Sequence, residues 1–381
     1  MIHAHYHLTR MTEMKRVFTA HSLASFGFAL VWVFVPLFLY SSGYAPPVIF
    51  LWLAAAALVA AVCHYPALRV VAKSGPHRSM LLGIIAGVLY LGMLLSLKQY
   101  PALFIPAAAL MGLHYALYWP AFHADFSRFR DRKSTGSQVG ALNGIVILLT
   151  GLAPAIGGLV AQRWGTSWSY GIALILIAAA VIPLRTSMTV AEPGSGVPIR
   201  RLPWRKIAPD LFSNFCNGIE SLAERALWSF LIFLTVSTYA GVGLLSSLAL
   251  ISAMAVSIYV GRHEQRRGVR RYIKEGTRLK SLSHIFRLMA SSSLHFTGIN
   301  LLTGIATQLH LTPYMTRYYE HADEEERLAY IWAMETSFQI GYAFLASFVA
   351  VLLLAGLSFK LALLIGIALA IPAAFGIRRM R

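Results

Sequence analysis

Apolar residues in this chain come in long unbroken runs, not in the alternation of half-buried strands. The runs lie near 17–40, 47–71, 79–97, 101–123, 137–161, 168–184, 209–237, 242–260, 272–290, 294–316, 328–355 and 359–377. A helix needs about 20 apolar residues to cross the hydrocarbon of a bilayer. At that depth no water satisfies the backbone, so each run is predicted to be helical. The pattern predicts an all-α polytopic membrane protein with about twelve spans. The first run is too long for a cleaved signal segment and shows no convincing cleavage site, so it is kept as the first span. The ninth is the weakest, because Lys274, Arg278, Lys280, His284 and Arg287 interrupt it. Its start is expected to protrude from the membrane.

Charge adds orientation. Of the 33 Lys and Arg residues, 28 fall in every second gap between runs. The alternate gaps hold only Lys98, Arg163 and Lys360, while Arg225 and Arg287 sit inside runs. Positive charge is retained on the cytoplasmic side during insertion. Both ends are therefore expected in the cytoplasm and the chain in the cytoplasmic (inner) membrane. Composition agrees: 57% of residues are hydrophobic, 13% are charged and mean hydropathy is +0.63. Soluble domains carry about 25% charged residues. The net charge of +18 would suggest nucleic acid in a soluble protein. Spread over separate gaps, it reads instead as topology signals facing anionic lipid, with no nucleic-acid partner. Cys63 and Cys216 both lie in apolar runs, so no disulfide framework is implied.

Four segments follow: a cytoplasmic tail (1–16), a first six-helix bundle (17–184), a linker (185–208) and a second bundle with a short basic tail (209–381). The linker, RTSMTVAEPGSGVPIRRLPWRKIA, has the Pro, Gly, Ser and basic content of a cytoplasmic loop. The halves also resemble each other. A shift of 196 places Ser25 on Ser221, Trp32 on Trp228, Phe34 on Phe230 and Ser41 on Ser237. The first span then superposes on the seventh in the same direction, which makes a parallel repeat.

At this point the chain resembles the major facilitator superfamily (MFS) over about residues 17–377, and three local signatures carry the resemblance. The family has a G-x-x-x-D-R-x-G-R-R loop after the second and eighth helices. After the eighth, Gly261, Arg266, Gly268 and Arg270 match, with Gln265 for the Asp. After the second, only Lys73 and Gly75 remain, with Leu68 for the first Gly and Ala72 for the Asp. The glycines suit a tight turn and the basic residues a cytoplasmic side, while the missing carboxylates weaken the family's charge-relay gate. In the fifth span, Gly151, Ala153, Pro154, Gly157 and Gly158 resemble the G-P-x-x-G-G element of drug/proton antiporters. Gly140 and Gly144 extend its smooth face, and plain close packing is the simpler reading. The resemblance implies two pseudo-symmetric six-helix bundles, alternating access, and a cavity lined by the first, fourth, seventh and tenth helices.

Each of those four helices carries a polar stripe at helical spacing. The first offers His21, Ser25, Phe28 and Trp32; the fourth offers His114, Tyr118 and Asp125, with Trp119 and His123 nearby. The seventh offers Asn214, Asn217, Ser221, Glu224 and Trp228; the tenth offers Asn300, Thr303, Thr307, His310 and Tyr314. Ionisable residues inside a bilayer cost about 2.5–3.5 kcal/mol each, so they usually face a cavity or a partner. Glu224, with Glu220 one turn away, is the candidate for binding a proton whose release is coupled to substrate movement. The bland alternative makes Arg225 its fixed charge partner. Glu335 is a further coupling candidate, or a gate, or one half of a structural pair with Arg225 or Arg287. Arg287 itself reads as a snorkelling or locally paired residue rather than a site.

His3, His5 and His7 read as part of a disordered tail, and Met111 with His114 shows no four-ligand cluster, so no metal site and no cofactor are expected. The acidic run from Asp323 to Glu326 reads as a solvated helix start. The leading function is a monomeric secondary transporter of a small organic solute, coupled to protons and not an enzyme; direction is open. No G-x-x-x-x-G-K-[ST] phosphate loop occurs to support ATP drive. Few cavity cations and two carboxylates favour a cationic or neutral solute over a multiply anionic one. The alternatives are a non-transporting receptor or scaffold on the same fold, an intramembrane acyl or glycosyl transferase, and a transition-metal permease. The topology has a direct check. Phosphatase fused after Lys98 or Lys360 is expected to be active outside the cell, and a fluorescent protein fused after Arg381 to fluoresce inside. An active phosphatase fused after Gly268 would contradict the assignment.

Overall fold

The structure is a computed structural model that describes residues 2–129, 135–185 and 196–380. The side chains of 2–15, 129, 136, 141–143, 145 and 264–267 also fall outside the described residues. Arg130 to Lys133, residues 186–195 of the linker and the Arg266 side chain are therefore not described.

All regular structure among the described residues is helical. The first span runs Ile2–Val31, tightens over Trp32–Phe34 and resumes as Val35–Ser41. The second to fourth are Pro46–Ser74, Pro76–Ser96 and Phe104–Phe129. The fifth is Thr135–Thr150 with Ala153–Trp164, and the sixth Thr166–Ala179 with Val181–Arg185. The seventh is Trp204–Leu222, a wide π turn over Ala223–Leu227, then Trp228–Val236. The eighth to twelfth are Tyr239–Arg267, Val269–Leu288, Ser293–Glu324, Arg327–Leu354 and Phe359–Ile377. The N-terminal tail is not disordered as expected: its backbone continues the first helix, with no Gly or Pro before Gly27 to stop propagation.

Among the described residues, nine spans are long and apolar enough to cross a membrane. The seventh, ninth and tenth spans fall short of that measure. Polarity is thus concentrated in three neighbouring helices of the second half.

Packing repeats between the halves. In the first, the first helix packs on the fifth and sixth, the fourth on the second and third, and the third on the sixth. In the second, the seventh packs on the eleventh and twelfth, the tenth on the eighth and ninth, and the ninth on the twelfth. Across the halves the second meets the eleventh and the fifth meets the eighth. These pairs exchange under a two-fold rotation, as a parallel repeat requires.

Close approach at two equivalent joints depends on glycine. A Cβ on Gly157 of the fifth span would run into the Leu30 carbonyl of the first. A Cβ on Gly341 of the eleventh would run into the Phe215 carbonyl of the seventh. Elsewhere, Gly75 and Gly268 take φ of 84° and 87° and allow the sharp turns into the third and ninth spans.

The breaks also have local causes. Pro36 has no N–H for the Trp32 carbonyl, which takes the Val35 N–H instead and forms a tighter turn. In the seventh span the Trp228 N–H reaches back five residues to the Ala223 carbonyl. The repeat-matched tryptophans, Trp32 and Trp228, thus both stand at breaks in their helices. Overpacking of a close helix joint costs about 1–3 kcal/mol. Gly157→Ala and Gly341→Ala are expected to lower the unfolding temperature in detergent. Gly171→Ala, which meets nothing within 4 Å, should not.

Candidate functional site

Between the halves lies a cavity of about 420 Å³. Its first-half wall is largely aromatic, with Phe28, Trp32, Tyr115, Tyr118 and Trp119 joined by Ser25 and His114. Its second-half wall is polar and charged, with Glu224, Arg225, Trp228, Arg287, Asn300, Thr303, Thr307 and Gln308.

Behind that second wall the seventh and ninth helices share a buried ion cluster. Lys280 Nζ lies 3.1 Å from Glu220 Oε2 and 3.3 Å from Glu224 Oε1. His284 Nε2 donates to the Glu220 carboxylate at 2.9 and 3.0 Å, and Arg287 Nη1 donates to His284 Nδ1 at 3.1 Å. A ring nitrogen that accepts from a guanidinium carries no proton, so these contacts assign a neutral His284. Two carboxylates then cancel two cations. Arg287 Nη2 also donates to Thr303 Oγ1 at 3.1 Å and sits 4.0 Å from Glu224 Oε1. Thr307 Oγ1 donates to the same Glu224 oxygen at 3.3 Å.

The two carboxylates are not equivalent. The Glu220 side chain is 0% exposed, whereas that of Glu224 is 20% exposed and lines the cavity. A π turn over Ala223–Leu227 includes Glu224 and not Glu220. Such single wide turns in α-helices are frequent at functional sites. Glu220, Glu224 and His284 bring ligand atoms within 4.8 Å of one another, the spacing of a metal site. The Lys280 ammonium already sits against both carboxylates.

Three expectations change. Arg225 is not the partner of Glu220 or Glu224: among the described residues no carboxylate lies within 4.0 Å of it. Its guanidinium lies over the Trp32 ring of the other half, 5.6 Å from the centroid, and it is accessible from the cavity. Arg287 does not snorkel: of its two expected readings it takes local pairing, with His284 and Glu224, but it also faces the cavity. It is 1% exposed, lines the cavity and lies 4.9 Å from the Trp228 ring centroid. Glu335 pairs with neither arginine; it accepts from Tyr318 Oη at 3.0 Å and lies 3.7 Å from His123 Nε2.

The other expected residues divide into two groups. Ser25, Trp32, His114, Tyr118, Trp228, Asn300, Thr303 and Thr307 line the cavity. His114 Nδ1 bonds the Gly83 carbonyl at 2.8 Å, and Trp228 Nε1 donates to Asn300 Oδ1 at 2.9 Å. His21, Asn217, Ser221, His310 and Tyr314 are not part of its lining. His21 bonds Tyr118 Oη at 2.8 Å and stacks on Phe122. Tyr314 donates to Asn214 Oδ1, which Asn217 Nδ2 also meets at 3.5 Å. Ser221 lines a small side recess with Arg225 and Gln339, and His310 packs against Gly276. Of the loop residues, Lys73 and Arg270 are exposed, and Gly261 lies against Gly140.

Contacts between the halves lie beyond the cavity toward both ends. At the end bearing the chain termini, His123 Nδ1 bonds Tyr319 Oη at 2.8 Å and His64 Nδ1 meets Thr336 Oγ1 at 3.2 Å. His77 with Asp125, and His321 with Asp210, form buried pairs within each half there. At the opposite end Ser41 Oγ meets Tyr239 Oη at 2.7 Å, beside rings of Phe34, Tyr40, Phe230 and Phe359.

Lys280 and His284 were not anticipated as site residues, because Lys280 was absorbed into the topology charges. The available signal was spacing. Lys280, His284 and Arg287 stand at offsets 0, 4 and 7 on one helix face, complementary to Glu220 and Glu224.

Comparison with known proteins points the same way as the fold. The sequence profile described as Major Facilitator Superfamily matches residues 17–240. No curated protein sequence matches. The human organic anion transporter MFSD10 (TETRAN) is similar in structure, with TM-score 0.70 and 12% identity over 97% of this chain and 99% of that one. So is FucP, a Major Facilitator Superfamily transporter solved in the outward conformation, with TM-score 0.67 and 11% identity over 97% of this chain and 99% of that one. At such identities the likeness is one of fold.

Removing one member of a buried ion pair costs about 3–5 kcal/mol, because the other charge is stranded. Lys280→Met is expected to lose most of its folded yield, and the double variant with Glu220→Gln, which leaves Glu224 to balance Arg287, to recover it. Size-exclusion profiles in detergent read this directly. A fully stable Lys280→Met protein would mean that the carboxylates are not charged partners of the lysine.

Proposed function

The chain belongs to the Major Facilitator Superfamily, a family of transporters, and on that premise we propose that it is a proton-coupled secondary transporter of a small organic solute. It works by alternating access, in the cytoplasmic membrane, with both ends inside. One observation carries the coupling: of the cluster's two carboxylates, only Glu224 meets the cavity, and it does so while touching Lys280 and Thr307.

The mechanism follows from charge balance. With Glu224 ionised the cluster is neutral and holds the seventh, ninth and tenth helices together. A proton on Glu224 leaves Lys280 and Arg287 facing one carboxylate, Glu220. One positive charge is then free to attract an electron-rich group of a solute in the cavity. Proton and solute thus favour each other's binding, which is the reciprocity that coupling requires. Glu220 keeps Lys280 and His284 in place throughout, so the cluster does not fall apart when Glu224 changes state.

Opening toward the terminal end has to break the His123–Tyr319 bond and part His123 from Glu335. Opening toward the other end has to break the Ser41–Tyr239 bond. The reading uses no catalytic step and no cofactor.

Replacing Glu224 by Gln removes the exchangeable proton and keeps the side chain's shape. In proteoliposomes loaded with a solute identified by thermal-shift screening, Glu224→Gln should lose accumulation driven by a pH gradient. Counterflow should persist within a few-fold of the parent. Undiminished gradient-driven accumulation by this variant would overturn the coupling role.

A further inference from the structure

Three donors in the cavity wall have no acceptor among the described residues. Arg287 Nε and Asn300 Nδ2 are buried without a hydrogen-bond partner among the described residues. The two residues are 1% and 3% exposed, and both line the cavity. Asn300 cannot turn its amide to hide the mismatch, because its Oδ1 accepts the Trp228 indole N–H at 2.9 Å. Arg225 is the third donor, a cation in the middle of a span with no carboxylate within 4.0 Å among the described residues.

The charge count has the same sign. Glu220 and Glu224 balance Lys280 and Arg287, and the donor pattern leaves His284 neutral. Arg225 therefore leaves the cavity wall one positive charge in excess. A buried donor without an acceptor costs about 1–3 kcal/mol, and a ligand that supplies the acceptor recovers it. A carboxylate meets all three needs: it is anionic, acceptor-only, and matches the planar donor fork of arginine.

The opposite wall selects the rest of the ligand. Phe28, Trp32, Tyr115 and Trp119 present aromatic surface without a charge. Trp32 is already in contact with the Arg225 guanidinium, so the two walls meet there.

We propose that the cavity is a site for an amphipathic organic monoanion. Its carboxylate lies against Arg225, Arg287 and Asn300, and its apolar body against the aromatic wall of the first half. This rests on the transporter reading and narrows its substrate class. It departs from the preference for a cationic or neutral solute that the sequence alone suggested, because Lys280 and Arg287 were then not counted in the site. With Glu224 ionised, a monoanion cancels the one excess charge that Arg225 contributes.

The test uses the full chain in lipid nanodiscs with phenylacetate, hydrocinnamate and octanoate as probes. Their uncharged amides and the corresponding amines serve as controls. Binding is read by quenching of tryptophan fluorescence and by thermal shift. At least one acid should bind at least tenfold more tightly than its amide, and the amines should not compete. Arg225→Gln should collapse the acid-to-amide ratio toward one, and Asn300→Ala should lower it several-fold. Asn300→Ala keeps the test open if Arg225→Gln fails to fold. Equal binding of acid and amide, tighter binding of an amine, failure of all three acids to bind, or a ratio untouched by both variants would each overturn the proposal. Counterflow of labelled acid separates the two levels. Saturable binding without counterflow sinks the transport reading and leaves the anion site; counterflow of neutral solutes alone does the reverse.

Discussion

Everything distinctive in this protein depends on keeping five ionisable side chains inside a membrane. Glu220, Glu224, Lys280, His284 and Arg287 lie on two helices that would otherwise be ordinary spans. None would be tolerated singly, since a lone charge at that depth is expensive. Together they satisfy one another through short contacts, and Thr303 and Thr307 of the tenth helix complete the set. The cost of the arrangement is paid in rigidity of partners: the seventh, ninth and tenth helices cannot slide independently without stranding a charge. On the proposed reading, that constraint turns protonation of one carboxylate into a change felt by three helices.

The repeat sharpens this by contrast. Under the shift of 196, Trp32 corresponds to Trp228, His114 to His310 and Tyr118 to Tyr314, so the scaffold is shared. His123 even bonds its own counterpart, Tyr319, as residues near a two-fold axis must. The chemistry is not shared. The first half supplies an uncharged aromatic wall, and the second supplies all the ions. Two halves of one shape have taken two tasks, an apolar seat and a charged one, with Arg225 over Trp32 where they meet.

The sequence carried the architecture because a bilayer leaves few choices. Run length and alternating basic gaps led to about twelve helices, and the repeat led to paired bundles. Lining residues such as Trp32, Trp228, Asn300 and Thr307 were legible from helical spacing. Partners were not, since Glu220 and Lys280 are sixty positions apart and meet only through packing. Charge counting worked against the site: Lys280, taken with its neighbours, looked like one more topology signal. The π turn was also invisible, as no residue type in Ala223–Leu227 demands it. Residues such as His21 and Tyr314 shared a stripe with the lining yet serve to join helices, because a stripe covers the whole length of a span and the cavity only its middle.

The central claim is that a proton on Glu224 and an anion in the cavity bind together. It is tested most directly by counting protons taken up when hydrocinnamate saturates the purified protein in weakly buffered solution. The account predicts proton uptake by the parent protein and its loss in Glu224→Gln, with anion binding retained. Equal uptake by both proteins, or saturable binding with no uptake by either, would contradict it.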